Sequence, residues 1–160
     1  MASRDKQLRI LKKKSVIALQ KESARRKELE IIQINLGSRC NQHCAHCHIS
    51  GSPGGSCMNS WTAQRIIDKL AEIPVQRIEF TGGAPELNSS LPVFIQRLSP
   101  EQRTITVRTN LTVLALPEHA ELFDLYQKHN VQLVASLPCY LRENVDRQRG
   151  QGVLTRAFLC

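Results

Sequence analysis

Three cysteines stand close together in the chain, where Cys40-Asn41-Gln42-His43-Cys44-Ala45-His46-Cys47 carries the spacing C-x3-C-x2-C. The chain has six cysteines. In a reducing compartment they are thiols, and clustered thiols act as metal ligands or reactive groups rather than disulfide partners. A structural zinc site wants four closed ligands, so His43, His46, His48 or Cys57 would have to supply the fourth. A cubane 4Fe–4S cluster held by three cysteines instead leaves one iron open to a small molecule. Gly37, just before the run, lets the chain turn. A second run, Thr81-Gly82-Gly83-Ala84-Pro85-Glu86, brings two glycines without Cβ next to a carboxylate. By itself such a pair reads first as an ordinary tight turn.

The elements that position these residues follow from periodicity. Residues 30–36 (EIIQINL) read as a first strand, and residues 75–80 as a second. Thr104–Thr109 alternates as a third, and residues 131–137 (VQLVASL) are apolar enough for a fourth covered on both faces. Between them, Ala63, Ile66, Ile67, Leu70 and Ile73 recur at helical spacing behind Asn59 and Ser60. Ser90 and Pro92 open a helix ending near Leu98, and Pro117 opens another through Leu122, Phe123, Leu125 and Tyr126. Strands alternating with amphipathic helices predict parallel βα units. In such folds the working residues sit on loops after the strands' carboxyl ends. The cysteines follow the first strand, Gly82-Gly83 the second, Asn110 the third, and Pro138-Cys139-Tyr140 the fourth.

Composition narrows the function classes. With 160 residues and 41% hydrophobic content the chain can bury a core. Its net charge of +8 is concentrated in the first thirty residues, which hold ten Lys or Arg against four acids. Residues 1–29 therefore read as a basic, helical lead-in, and residues 30–160 as the domain. A nearly neutral domain lacks the basic face a nucleic-acid surface needs. No apolar run reaches the ~18 residues of a membrane span, and no secretory signal is visible. The expected location is the cytoplasm.

The cysteine loop after a first strand, with Gly-Gly-x-x-Glu after the second, resembles the radical S-adenosylmethionine (SAM) superfamily. Three runs resemble, more narrowly, its arsenosugar-biosynthesis members: Asn41-Gln42-x-Cys44-x-His46-Cys47-His48, residues 81–88 (TGGAPELN), and residues 136–150 from Ser136-Leu137-Pro138-Cys139-Tyr140 onward. The resemblance spans residues 29–153. It implies a (βα)6 partial TIM-like barrel, of which this length supplies about four units at the repeat of a ~250-residue eight-unit barrel. The chain therefore reads as the N-terminal portion of an α/β barrel, a truncated core.

The resemblance also implies chemistry. Cys40, Cys44 and Cys47 would hold a 4Fe–4S cluster whose open iron is chelated by SAM, and reductive cleavage would yield a 5′-deoxyadenosyl radical. Gly82 and Gly83 would let backbone approach the SAM amino group, and Glu86 would orient or balance that ammonium. Asn110 and Ser136 would meet the ribose or carboxylate, or else cap strand ends. Cys139 would hold a trivalent methylated arsenical, since soft ions favour thiolates; its alternative is a small buried hydrophobe. His43, His46 and His48 would tune the cluster or lie solvated, and Arg147 and Arg149 would neutralise an anion or lie on a solvated loop. The partners implied are a small-molecule substrate and an electron donor such as a flavodoxin or ferredoxin. The rival expectation is a non-catalytic iron–sulfur or zinc-binding remnant.

Overall fold

The computed structural model describes residues 28–159. The basic lead-in expected over residues 1–29 falls outside them except for its last two residues, as does Cys160. Four parallel strands, β1 (Ile31–Asn35), β2 (Arg77–Thr81), β3 (Thr104–Thr109) and β4 (Gln132–Ala135), form one sheet in the order of the chain. Helices α1 (Ser60–Leu70), α2 (Leu91–Leu98) and α3 (Glu121–Lys128) connect them. Two short helices, α4 (Arg142–Arg149) and α5 (Val153–Ala157), follow β4. The expected α/β architecture, part of a TIM-like barrel, is the one observed. No helix among the described residues is long and apolar enough to cross a membrane.

Local chemistry explains the boundaries. Asn59 caps α1, its Oδ1 accepting the Thr62 N–H at 2.8 Å. Pro92 lies in the first turn of α2, where its missing N–H costs nothing. Pro117 opens only a 3₁₀ turn, Pro117–His119, and α3 begins after it at Glu121.

The sheet's two faces differ in kind. Ile34, Ile78, Phe80, Ile105 and Val107 point to the helices and form one core with Ile67, Leu70, Leu91, Phe94, Leu98 and Leu122. Phe80 and Phe94 stack tilted, ring centres 5.1 Å apart. The alternate residues face the other way, and in register they read Gln33, Glu79, Thr106 and Gln132 across the four strands. A row of bulky branched residues there would make a packed barrel interior. This row is polar instead, with Glu79 and Thr106 themselves buried.

Two expectations are corrected. The fourth strand is not covered on both faces: all four β4 residues are exposed, Leu133 and Val134 each at 40%. It is an edge strand, paired only with β3 among the described residues. Arg147 and Arg149 lie on α4 rather than on a loop.

Candidate functional site

The cysteine loop grows directly from β1. Leu36 N–H donates to Thr81 O at 2.9 Å, and the chain then turns at Gly37, whose φ of +121° suits glycine. A Cβ at Gly37 would lie 2.2 Å from Ser56 O, so the loop's closing arm packs against bare backbone. That arm pairs with the opening one: Ser38 and Arg39 N–H both donate to Ser56 O, and Cys40 N–H donates to Ser52 O. Cys57 stands in this arm, bridged through its backbone to Gly37 and exposed.

The loop brings Cys40, Cys44 and Cys47 within electrostatic reach of one another. Burial pushes the Cys40 thiol up, helped by Cys47 and Glu86 and opposed by the Gln42 N–H and the Asn110 amide. Burial also pushes Cys44 up, with Arg149 opposing and the two other thiols adding to it. Gly51 sits between two of the three: a Cβ there would lie 3.2 Å from Cys40 Cβ and 3.6 Å from Cys47 Sγ. The Gly51 N–H donates to Cys47 Sγ at 3.2 Å. Mutually repelling, partly buried thiols around bare backbone fit a cationic centre, which favours thiolates outright. Among the described residues no group of three or more His, Cys, Asp or Glu is drawn together as a mononuclear ion requires. A cubane, which spreads its thiolates over separate irons, fits this donor set better than tetrahedral zinc.

The end of β3 anchors the loop from below. Asn110 Nδ2 donates to Asn41 Oδ1 at 2.9 Å and approaches Cys40 Sγ at 3.6 Å, while its Oδ1 accepts the Thr112 N–H at 3.0 Å. Thr112 Oγ1 in turn receives Asn41 Nδ2 at 2.9 Å and Gln42 Nε2 at 2.8 Å. Asn110 is buried in this network and is not part of the cavity wall. The Asn-Gln pair beside the cysteines, legible only as a family resemblance, is therefore a structural strut.

Beside the loop, at the strands' carboxyl ends, lies a cavity of about 370 Å³. Gln33 and Asn35 of β1, Thr81-Gly82-Gly83, Arg108 and Thr109 of β3, and Ser136 line it, with His48 and Ile49 from the loop. Ser136 is tied in place by its N–H to Thr109 O at 2.9 Å. Gly82 and Gly83 form the wall, yet their missing Cβ space belongs to the loop. A Cβ on Gly83 would meet Arg39 O at 2.3 Å, and one on Gly82, at φ +139°, would meet Gly37 O at 2.6 Å. Gly83 N–H donates to Gly37 O at 2.9 Å and Ala84 N–H to Arg39 O at 2.8 Å. The glycine pair is what lets the cysteine loop dock on β2.

Neither Glu86 nor Cys139 is among the residues that line the cavity. Glu86, on the 3₁₀ turn Pro85–Leu87, is 5% exposed and off the cavity wall. Burial pushes its carboxyl up; Thr109 and its own N–H offset part of this without closing full hydrogen bonds. Glu86 is therefore not among the residues that would face a cavity ammonium. Cys139 packs against Val145, Val153 and Leu154, the second of the alternatives open to it. Its Sγ accepts the Leu141 N–H at 3.4 Å and Asn144 Nδ2 at 3.5 Å, which draw the thiol below its ordinary value. Arg108, unremarked in the sequence, stands in the cavity. Only its place opposite the helix-facing residues of TITVRT could have signalled it.

Comparison with known proteins agrees with this geometry. Residues 34–137 match the model of the radical SAM superfamily. A probable GTP 3',8-cyclase of Methanopyrus kandleri is 31% identical over 90 residues, covering 56% of this chain and 29% of that protein. One from Methanococcus maripaludis is 29% identical over 87 residues, covering 52% and 29%. The chain thus spans less than a third of the length of these relatives, and they are not arsenosugar proteins. The crystal structure of Streptococcus suis SuiB bound to S-adenosylmethionine shares the fold, with TM-score 0.64, 18% identity, and coverage of 92% of this chain and 34% of that one. The cofactors that go with the matched family are a 4Fe–4S cluster and SAM. A family model covering more than half of the sequence, on a fold that sets a three-cysteine loop against a strand-end cavity, places this chain in the radical SAM superfamily.

Proposed function

We propose that this chain is the cofactor-binding part of a radical SAM enzyme, with Cys40, Cys44 and Cys47 as the cluster ligands and the cavity beside them as the place of SAM and substrate. The observation that carries this reading is the docking of the cysteine loop on the cavity wall through Gly83 N–H and Ala84 N–H. When bound, the cluster and SAM supply a reductively generated carbon radical. The chain's own residues hold the loop, through Asn110, Thr112 and the glycine pair, and wall the cavity. Ser136 stands exposed on that wall, whereas the Thr109 hydroxyl is turned inward, accepting the Leu111 N–H at 2.9 Å. The substrate is a small molecule, and a flavodoxin- or ferredoxin-like protein delivers the electron.

The test is anaerobic reconstitution of the full chain, expected to give about four iron and four sulfide per chain as a cubane requires. Loss of both on changing Cys40, Cys44 or Cys47 to Ala, with Cys57→Ala unaffected, supports the assignment. Stoichiometric zinc without sulfide refutes it and favours the remnant reading.

A narrower reading, adenosylation of a trivalent methylated arsenical, draws support from Cys139, whose hydrogen bonds favour the thiolate that arsenic(III) prefers. Cys139→Ser should then retain cluster and SAM binding but lose arsenical binding. Equal arsenical binding by both proteins returns Cys139 to the packing around Val145.

A further inference from the structure

Among the residues lining the cavity, Arg108 alone carries a permanent charge. It is fixed from behind. Glu79 Oε2 accepts Arg108 Nε at 3.1 Å and Nη2 at 2.9 Å, and takes Gln33 Nε2 at 3.2 Å as well. These bonds occupy one edge of the guanidinium. The Arg108 side chain is 44% exposed and Glu79 only 12%, so the carboxylate is the inner member of the pair and the arginine the outer. Among the described residues Nη1 takes no hydrogen-bond partner, leaving the second edge of the fork for a ligand.

An arginine held this way has already lost the rotamer freedom that binding would otherwise cost, and its planar donors match a carboxylate or phosphate bidentately. We propose that Arg108 binds an oxyanionic group, carboxylate or phosphate, of the small-molecule substrate. The inference rests on the reading of the cavity as the reaction chamber and deepens it by naming a substrate class, one that a neutral dimethylated arsenical does not belong to. The same chemistry could meet the carboxylate of SAM, but position favours the substrate. Arg108 reaches back to Glu79, which is in register with Gln33 and Thr106, two residues short of the strand end at Thr81. That direction leads away from the cysteine loop, into the polar interior of the sheet.

The test is calorimetric titration of the full chain with inorganic phosphate, succinate and SAM, at ~0.15 M salt to screen the basic leader. Phosphate and succinate are titrated into both the cluster-loaded and the metal-free protein, so that failure to build a cluster is read separately from failure to bind an anion. Arg108→Gln is compared with wild type, with the double variant Arg108→Gln/Glu79→Gln, and with Arg77→Gln at the opposite end of β2. The double variant leaves no unpaired carboxylate, so it decides the matter if the single variant does not fold. Expected are saturable binding of phosphate or succinate by wild type, a loss of about tenfold or more in both Arg108 variants, unchanged binding in Arg77→Gln, and unchanged SAM affinity throughout. Absence of saturable anion binding by wild type, or equal binding by wild type and the Arg108 variants, overturns the proposal. A fall in SAM affinity in the Arg108 variants, with or without a fall for the anions, assigns the arginine to the cofactor carboxylate and overturns it too.

Discussion

Gly83 donates its N–H to the carbonyl of Gly37 at 2.9 Å, joining the end of the second strand to the turn that launches the cysteine loop. Two glycines 46 positions apart thus share one contact, and neither tolerates a side chain. The loop's position over the cavity depends on that bare backbone on both sides.

Replacement of Gly83 by Val puts a branched Cβ on the Arg39 carbonyl, a 2.3 Å approach that forces the loop off the strand. Overpacking of this kind costs about 1–3 kcal/mol. Iron content and SAM binding should fall together, with a lower urea midpoint. Gly54→Ala, where a Cβ meets nothing within 4 Å, is the control and should leave all three unchanged. Normal iron loading in Gly83→Val with SAM binding alone lost would show that the glycine serves the cofactor and not the loop.

Asn110→Ala removes the strut beneath the loop and leaves Asn41 and Thr112 short of partners. A stability loss of about 1–3 kcal/mol is expected for the buried groups so stranded. Amide exchange at residues 40–47 should quicken, and reconstituted iron should wash out faster on desalting. Exchange rates matching wild type would remove Asn110 from the loop's support.

Glu86 carries a stability prediction with a definite sign. Its folded-state pKa is raised by burial above the ordinary value of 4.5, so the folded protein holds the proton more tightly than the unfolded chain does. Its favourable contribution is complete below that value and is lost as pH rises through the raised folded pKa. Glu86→Gln should therefore flatten the decline, being more stable than wild type at neutral pH while the difference shrinks in acid. Thermal midpoints of metal-free protein across that range measure it. A constant difference between the two proteins at all pH values would place the titration elsewhere.

Cys139 should alkylate faster at neutral pH than Cys57, because hydrogen bonds from Leu141 N–H and Asn144 favour its thiolate. Asn144→Ala removes one of the two and should slow the reaction severalfold, read by mass spectrometry of the iodoacetamide adducts. Equal rates in the two proteins would show the amide is not a donor in solution.

Phe80, fully buried and stacked on Phe94, holds the helix side of the sheet. Phe80→Ala is expected to cost about 3–5 kcal/mol. Urea denaturation of the metal-free chain checks it, and a cost near zero would mean the core collapses around the gap.

Much of the architecture was readable from pattern. Ala63, Ile67 and Leu70 do form the buried stripe of a helix, and the clusters that follow the strands do gather at one end of the sheet. Directions of side chains at those strand ends were not readable. Asn110 and Ser136 occupy equivalent places in the sequence pattern, yet one is locked under the loop and the other lines the cavity. Glu86 sits three residues past Gly83, but a 3₁₀ turn at Pro85 directs its carboxyl inward. The apolar run 131–137 suggested a covered strand because hydrophobicity reports what a strand can bury, not whether a neighbour is present. The α4–α5 pair went unread since a helix as polar as residues 142–149 shows little periodicity beyond the buried Val145.

The polar row Gln33, Glu79, Thr106 and Gln132 shares its strands, but none of its packing, with the apolar face that anchors the helices. Folding free energy is therefore concentrated on one side of a single layer of backbone, and the strand-end cavity opens on the other. Substitutions on the cavity side meet polar groups and a few exchangeable hydrogen bonds, whereas those on the helix side meet close-packed hydrocarbon. Point changes at the inward positions, Arg108 among them, can therefore alter the charge and shape of the cavity while the scaffold that carries the cysteine loop stays intact.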